Sequence, residues 1–237
     1  MTDPVLVACA HGTRSPAGQS TYAALARAIA DARPGLVVEP AFVDVQAPEV
    51  DEVVARVTGN GQRVVVVPLL LSSGYHVGVD VARAIAGNPL ASAARAVGPD
   101  PLLVDVLLER LAALDLDLTA GGAQVILGAA GSSDANSRAD VARMLTWFAD
   151  KSPAPVQMAF AASAEPRIPD AVAAARGTGG PVAIVSYLLV PGHFHGVLGT
   201  SGADGVTPPL CTPEHADPRV VELVLTRYDE AASTSAD

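Results

Sequence analysis

The sequence predicts an α/β fold built as two similar doubly wound parallel-sheet lobes from an internal duplication. The first observation behind this is a repeat. The run Val5–Thr13 returns at Val125–Ser132, Phe42–Pro48 returns as Phe160–Pro166, and Pro68–His76 returns as Tyr187–His195, at an offset of 118 or 119 residues. The second is that the strand-like segments are apolar at consecutive positions, as in Val64–Leu71, which requires both faces of a sheet to be covered. The third is the regular alternation of such runs with amphipathic stretches, the pattern of a parallel sheet flanked by helices.

In the first half, apolar runs at Val5–Ala10, Leu36–Val43 and Val64–Leu71 read as strands, with a weaker fourth at Ala94–Val97. Helical periodicity falls at Gln19–Ala32, Pro48–Val57, Val79–Ala86 and Pro101–Leu114. Asp-Leu-Asp-Leu-Thr-Ala-Gly-Gly at 115–122 breaks the last of these and resets the pattern. The second half then offers strands at Gln124–Gly128, Val156–Ala161, Val182–Leu189 and, weakly, Val206–Leu210. Its helices are expected at Ala135–Ala149, Pro166–Ala175 and Pro218–Tyr228. The expected division is a lobe at 1–117, a second at 118–230, and a small polar tail at 231–237 that frays.

A chain of 237 residues with 50% hydrophobic content can bury substantial cores without a metal or disulfide staple. A net charge of −10 and a single lysine, Lys151, argue against a nucleic-acid partner, which needs clustered cations to neutralise phosphates. The longest apolar run is too short to span a bilayer, and no basic leader precedes the first strand, so a cytoplasmic protein with no membrane partner is expected. Cys9 and Cys211 are far apart and form no Cys-x-x-Cys, against an iron–sulfur cluster or zinc ribbon. Cys9 reads as a small core residue.

Ligands of doubly wound sheets bind beyond the carboxyl ends of the strands. His11 follows the first strand, Asp44 ends the second and His76 follows the third, so the three are expected on one edge of one lobe. Two imidazoles and a carboxylate suit first-row divalent metals and proton transfer near neutral pH. The second repeat has Ala130, Ala162 and His195 at these positions, so a complete second site is not expected.

These residues resemble a known family. His-Gly-Thr-Arg at 11–14, Phe-Val-Asp at 42–44 followed by Pro48, Leu-Leu-Leu-Ser-Ser-Gly-Tyr-His-Val-Gly-Val-Asp at 69–80 and Gly-Pro-Asp-Pro at 98–101 look like the class II tetrapyrrole chelatases. Within these, the chain is similar to the long, internally duplicated sirohydrochlorin chelatases, over nearly its whole length. The resemblance implies a lyase that inserts iron into sirohydrochlorin for sirohaem, or cobalt for cobalamin. Lacking the His-rich tail or terminal Cys motif of some cobalt-associated members, the chain leans toward iron.

It also implies that His11 and His76 bind metal and accept protons, with Asp44 standing where the family commonly has Glu. Thr13, Arg14, Leu71, Ser72, Ser73, Gly74 and Tyr75 would meet the macrocycle, although the Phe and Pro frequent in that last loop are absent. Arg14 and the hydroxyls of Thr13 and Ser72, with Arg138 from the second repeat, would answer the octacarboxylate rim. No cofactor would be permanently bound, the divalent metal being a substrate, and the chain would act as a monomer or weak homo-oligomer.

His195 reads as a relic of the duplication, or with His193 as an auxiliary metal ligand or entry relay. Asp80 reads as a helix-face charge and His215 as a loop residue. A histidine phosphatase is excluded because its Arg immediately before the His is Ala10 here. A non-catalytic tetrapyrrole or metal carrier is the remaining alternative, since binding alone needs the same His pair.

Overall fold

The computed structural model describes residues 3–72 and 75–234, without the side chains of residues 75–78. In chain order the elements of the first repeat are β1 (Val5–Ala10), α1 (Pro16–Ala32), β2 (Val38–Phe42), α2 (Val50–Gly59), β3 (Val64–Pro68), α3 (Tyr75–Ile85), β4 (Ala91–Ala93) and α4 (Leu102–Ala112). Those of the second are β5 (Gln124–Ala129), α5 (Ala135–Ala149), β6 (Val156–Phe160), α6 (Ile168–Arg176), β7 (Val182–Tyr187), α7 (His193–Gly199) and β8 (Gly205–Val206). The two-residue strands β9 (Cys211–Thr212) and β10 (His215–Ala216) and helix α8 (Pro218–Thr234) complete the chain.

Eight of the strands form two parallel four-stranded sheets, ordered β2-β1-β3-β4 and β6-β5-β7-β8, and β9 and β10 pair as a separate two-stranded sheet. This is the duplicated, doubly wound arrangement expected. The central strands β1, β3 and β7 are buried along their whole length, which is why they read as unbroken apolar runs rather than alternating ones. Because β1 lies between β2 and β3, the chain reverses its direction of travel across the sheet between β1 and β3. In doubly wound sheets it is at the carboxyl ends of the two strands flanking such a reversal that ligands bind.

Several boundaries differ from the sequence expectation. The first fourth strand is Ala91–Ala93, not Ala94–Val97, and the second is only Gly205–Val206. Edge strands this short carry too few residues for a pattern. Helix α7 has no expected counterpart, because His-Phe-His-Gly-Val-Leu-Gly is short and holds two glycines. Residues 231–234, expected to fray, continue α8, and His215 lies in β10.

The compact units do not follow the repeats. One comprises the residues to Val97 together with those from Pro213, and the other runs from Gly98 to Thr212. The helix that ends each repeat thus belongs to the unit of the opposite repeat, and the 115–122 break falls inside the second unit. An amphipathic helix must bury its apolar face on some sheet, but its sequence does not say which. Leu103, Val104, Leu107 and Leu111 of α4 are buried in the second unit; Val220, Val221, Leu223 and Val224 of α8 are buried in the first.

Matching arginines fix the two exchanged helices. Arg227, 1% exposed, donates through Nε to the Ala96 carbonyl at 3.1 Å and through Nη2 to that of Val97 at 3.2 Å. Arg110 donates to the carbonyls of Pro209 at 2.6 Å and Leu210 at 2.8 Å. Each thus satisfies two consecutive main-chain acceptors shortly after the fourth strand of its unit. Tyr228 adds a hydrogen bond from its hydroxyl to the Pro4 carbonyl at 2.6 Å. Replacing Arg227 by Leu, which leaves both carbonyls without their charged donor, should lower the unfolding free energy by about 2–3 kcal/mol in urea titrations followed by circular dichroism. Arg110→Leu should cost a similar amount.

Candidate functional site

At the carboxyl edge of the first sheet, the main chain continues to pair beyond the strands. Val43 N–H donates to the Ala10 carbonyl and Asp44 N–H to the His11 carbonyl, each at 3.1 Å. This sets His11 and Asp44 side by side in backbone register, and both are exposed. Gly12, at φ +96°, makes the approach possible, since a Cβ there would collide with the Asp44 carbonyl oxygen. Asp44 is oriented locally: its Oδ1 accepts from Val45 N–H at 2.7 Å, its carbonyl accepts from Gln46 N–H at 2.7 Å, and Val45 takes φ 56°. Oδ2 is the carboxylate oxygen left for a proton or a metal.

Thr13 is held on every side. Its N–H donates to Gln46 Oε1 at 2.7 Å, its carbonyl accepts from Gln19 Nε2 at 2.9 Å, and its Oγ1 accepts from Ser15 N–H at 3.1 Å. Ser15 caps α1, accepting at Oγ from Gly18 N–H, so the loop 11–14 runs directly into a capped helix. Arg14 is exposed, and among the described residues no ion pair engages it. Leu71 and Ser72 lie half-buried beyond β3. His76 is the second residue of α3, on this edge, but its side chain and that of Tyr75, with Ser73 and Gly74, lie outside the described residues. Among the described residues alone, no group of three His, Cys, Asp or Glu side chains is placed to hold a metal.

Cys9, buried on β1, takes no part. Burial, and next the charge of Asp80, push its thiol up to about 12, so it stays protonated at neutral pH and is a poor metal ligand. Asp80 itself pairs with Arg83 at 3.1 Å on α3, the helix-face charge expected. Sequence reasoning passed over Val45 and Val79, large apolar side chains left 43% and 46% exposed on the Asp44 loop and on α3. Their signal would have been β-branched residues flanking the polar positions on loops where nothing in the pattern asks for them.

The second repeat keeps the scaffold with Ala130 and Ala162 in place of His11 and Asp44. Ala161 and Ala162 N–H donate to the carbonyls of Ala129 and Ala130 at 2.9 and 2.8 Å, Gly131 has φ +92°, and Ser163 has φ 55°. Arg167 Nη2 donates to the Ala161 carbonyl at 2.7 Å. Tyr187 stands where the first repeat has Pro68, wholly buried, its hydroxyl held protonated by that burial and then by Asp140 and Asp100. His195 Nε2 lies 3.1 Å from the Thr207 carbonyl, which can only accept, so Nε2 carries the proton and is committed there. His193 is exposed, its ring 5.7 Å from that of Phe194. Arg138 is exposed on α5.

A family model described as CbiX matches residues 5–114 and 124–231, the two repeats in turn. A sirohydrochlorin cobaltochelatase of Methanococcoides burtonii is 29% identical over 85 residues, 35% of this chain; the chain spans only 65% of the length of that curated relative. Among solved structures the chain is similar to SirB from Bacillus subtilis with Fe3+, at 21% identity and a TM-score of 0.78, over 98% of this chain and 97% of that one. It is similar also to the sirohydrochlorin chelatase SirB from Bacillus subtilis subspecies spizizenii in complex with cobalt, at 21% identity and a TM-score of 0.76, over 98% and 96%. At these identities the structural likeness is one of fold.

Both matched repeats rely on the same glycine at the same close approach, where a Cβ at Gly12 or Gly131 would strike the carbonyl of Asp44 or Ala162. Gly12→Ala and Gly131→Ala should each lower the unfolding free energy by about 1–3 kcal/mol in denaturant titrations, through the left-handed backbone and the clash together.

Proposed function

This chain belongs to the CbiX family, and on that premise we propose that it is a sirohydrochlorin chelatase, a lyase that exchanges the two pyrrole N–H protons of sirohydrochlorin for a divalent metal. The observation that carries the reading is the main-chain pairing of His11 with Asp44 at 3.1 Å on the edge where α3 brings His76. Insertion needs a ligand that holds the metal while water leaves it, and bases that take two protons. His11 and His76 supply imidazoles for both tasks, and Asp44, fixed through Oδ1, supplies Oδ2 as a further acceptor. Proton transfer and metal transfer are then separate duties of neighbouring groups.

Arg14 and the hydroxyls of Thr13 and Ser72 are proposed to meet carboxylates of the macrocycle, with Leu71, Ser73, Gly74 and Tyr75 along the same loop. The exposed Val45 and Val79 offer apolar surface to the flat ring. Fe2+ is proposed as the metal, for sirohaem, because the sequence holds five histidines and no His-rich run of the kind that would buffer cobalt. Cobalt insertion is the alternative. No helix among the described residues is long and apolar enough to cross a membrane, which accords with a water-soluble, polycarboxylated substrate.

The test is an anaerobic assay of metal-free sirohydrochlorin with Fe(II) and Co(II) in parallel, at substoichiometric protein so that turnover separates an enzyme from a carrier. Faster turnover with Fe(II) is expected, and a Co(II) preference would reverse the assignment of the metal. His11→Ala should reduce the rate by roughly a hundredfold or more with an unchanged unfolding midpoint, since His11 is an exposed loop residue. A His11→Ala variant as active as the wild type would move the chemistry away from this edge. His195→Ala should cost far less, its Nε2 being committed to the Thr207 carbonyl.

A further inference from the structure

The two repeats are an internal control for one another. Both have the left-handed glycine, the paired main chain beyond the strands, a positive φ at Val45 or Ser163, and a hydroxyl, of Thr13 or Ser132, accepting from the N–H two residues on at 3.1 Å. Those features are scaffold, because the repeat without His11 and Asp44 keeps them all. Only the first repeat adds glutamines to this loop. Gln46 Oε1 accepts from Thr13 N–H at 2.7 Å and Gln19 Nε2 donates to the Thr13 carbonyl at 2.9 Å, where the second repeat has Ala164 and Arg138.

The bond from Gln46 spans 33 positions of sequence and joins the two loops that carry the site. Gln46 itself is set by its N–H bond to the Asp44 carbonyl, so its side chain extends a turn already built around Asp44. On the other side, Thr13 is two residues from His11, with only Gly12 between them. The His11 carbonyl is bonded to Asp44 N–H on one side of Gly12, the residue whose own backbone is least restrained, so the Thr13 anchor is the second point that fixes the path of the loop leaving His11. We propose that Gln46 is a positioning residue for metal insertion, latching the His11 loop onto the Asp44 turn. This rests on the functional reading above.

Gln46→Ala reproduces the residue that the second repeat carries in the same turn, so the backbone accommodates it. Gln46→Glu keeps an acceptor oxygen in the same place. Gln46→Ala is expected to lower kcat roughly tenfold with KM for sirohydrochlorin within about twofold and the unfolding midpoint unchanged, while Gln46→Glu restores most of kcat. In parallel, amide hydrogen exchange of Thr13 in the full chain should speed up in Gln46→Ala and return toward wild type in Gln46→Glu. An unchanged kcat, an unchanged Thr13 exchange rate, or a loss that follows the unfolding midpoint and is not rescued by Gln46→Glu overturns the latch. Failure of the wild-type chain to metallate sirohydrochlorin overturns the functional reading instead, and the Thr13 exchange rates then decide whether Gln46 holds the loop.

Discussion

The site depends on one close main-chain approach, in which the loop leaving β1 pairs with the loop leaving β2 after the sheet has formally ended. Parallel strands deliver their carboxyl ends to the same edge, but delivery alone leaves side chains on separate loops with independent motions. Extending the ladder by the Val43–Ala10 and Asp44–His11 bonds makes the two loops continue the sheet, so that His11 and Asp44 inherit its rigidity. Gly12 is required because the next carbonyl lies where any Cβ would be. The constraint fixes the proposed pair, yet none of its atoms belongs to the side chains of that pair.

The exchange of terminal helices adds a second constraint. The first unit, which carries His11 and Asp44, is completed by α8 from the far end of the chain, so the residues of the site depend on a segment about two hundred positions away. Arg227 is the most telling residue of that helix. A buried guanidinium is costly unless its donors find acceptors, and Nε and Nη2 find them in the consecutive carbonyls of Ala96 and Val97, just past the short fourth strand. The short edge strand and the buried arginine thus solve each other's problem, and Arg110 repeats the solution in the second unit.

Much of the fold was legible because buried parallel strands leave an unmistakable trace, as Val64–Val67 does, and because the repeat registers each element twice. The helix exchange was not legible: Leu103, Leu107 and Leu111 state that a face is buried but not against what. Likewise β4 and β8 are too short to show a period, and α7 too rich in glycine to read as a helix. At the site, His11 and Asp44 stood out by residue type and position after strands, whereas Gln46 and Gln19 did not. A glutamine in a loop has no distinctive spacing, and its importance lies in a partner that is a backbone N–H, present at nearly every position of any sequence.

Divergence after duplication explains why the polar set survives on one side only. The second repeat has each backbone device, since losing Gly131 or the Ala162–Ala130 bond would disturb the fold, and differs in side chains the fold does not need. The emptied positions are Ala130 and Ala162, and around them the second edge carries structural features instead: Arg167 bonded to the Ala161 carbonyl, His195 to that of Thr207, and the buried Tyr187 in place of Pro68. Each ties the edge of the second sheet to itself, whereas the first edge leaves His11, Arg14 and Asp44 exposed. Exposed and locally unneeded for folding, those side chains are what distinguishes one copy of the scaffold from the other, and that difference is what points the proposed chemistry to the first edge.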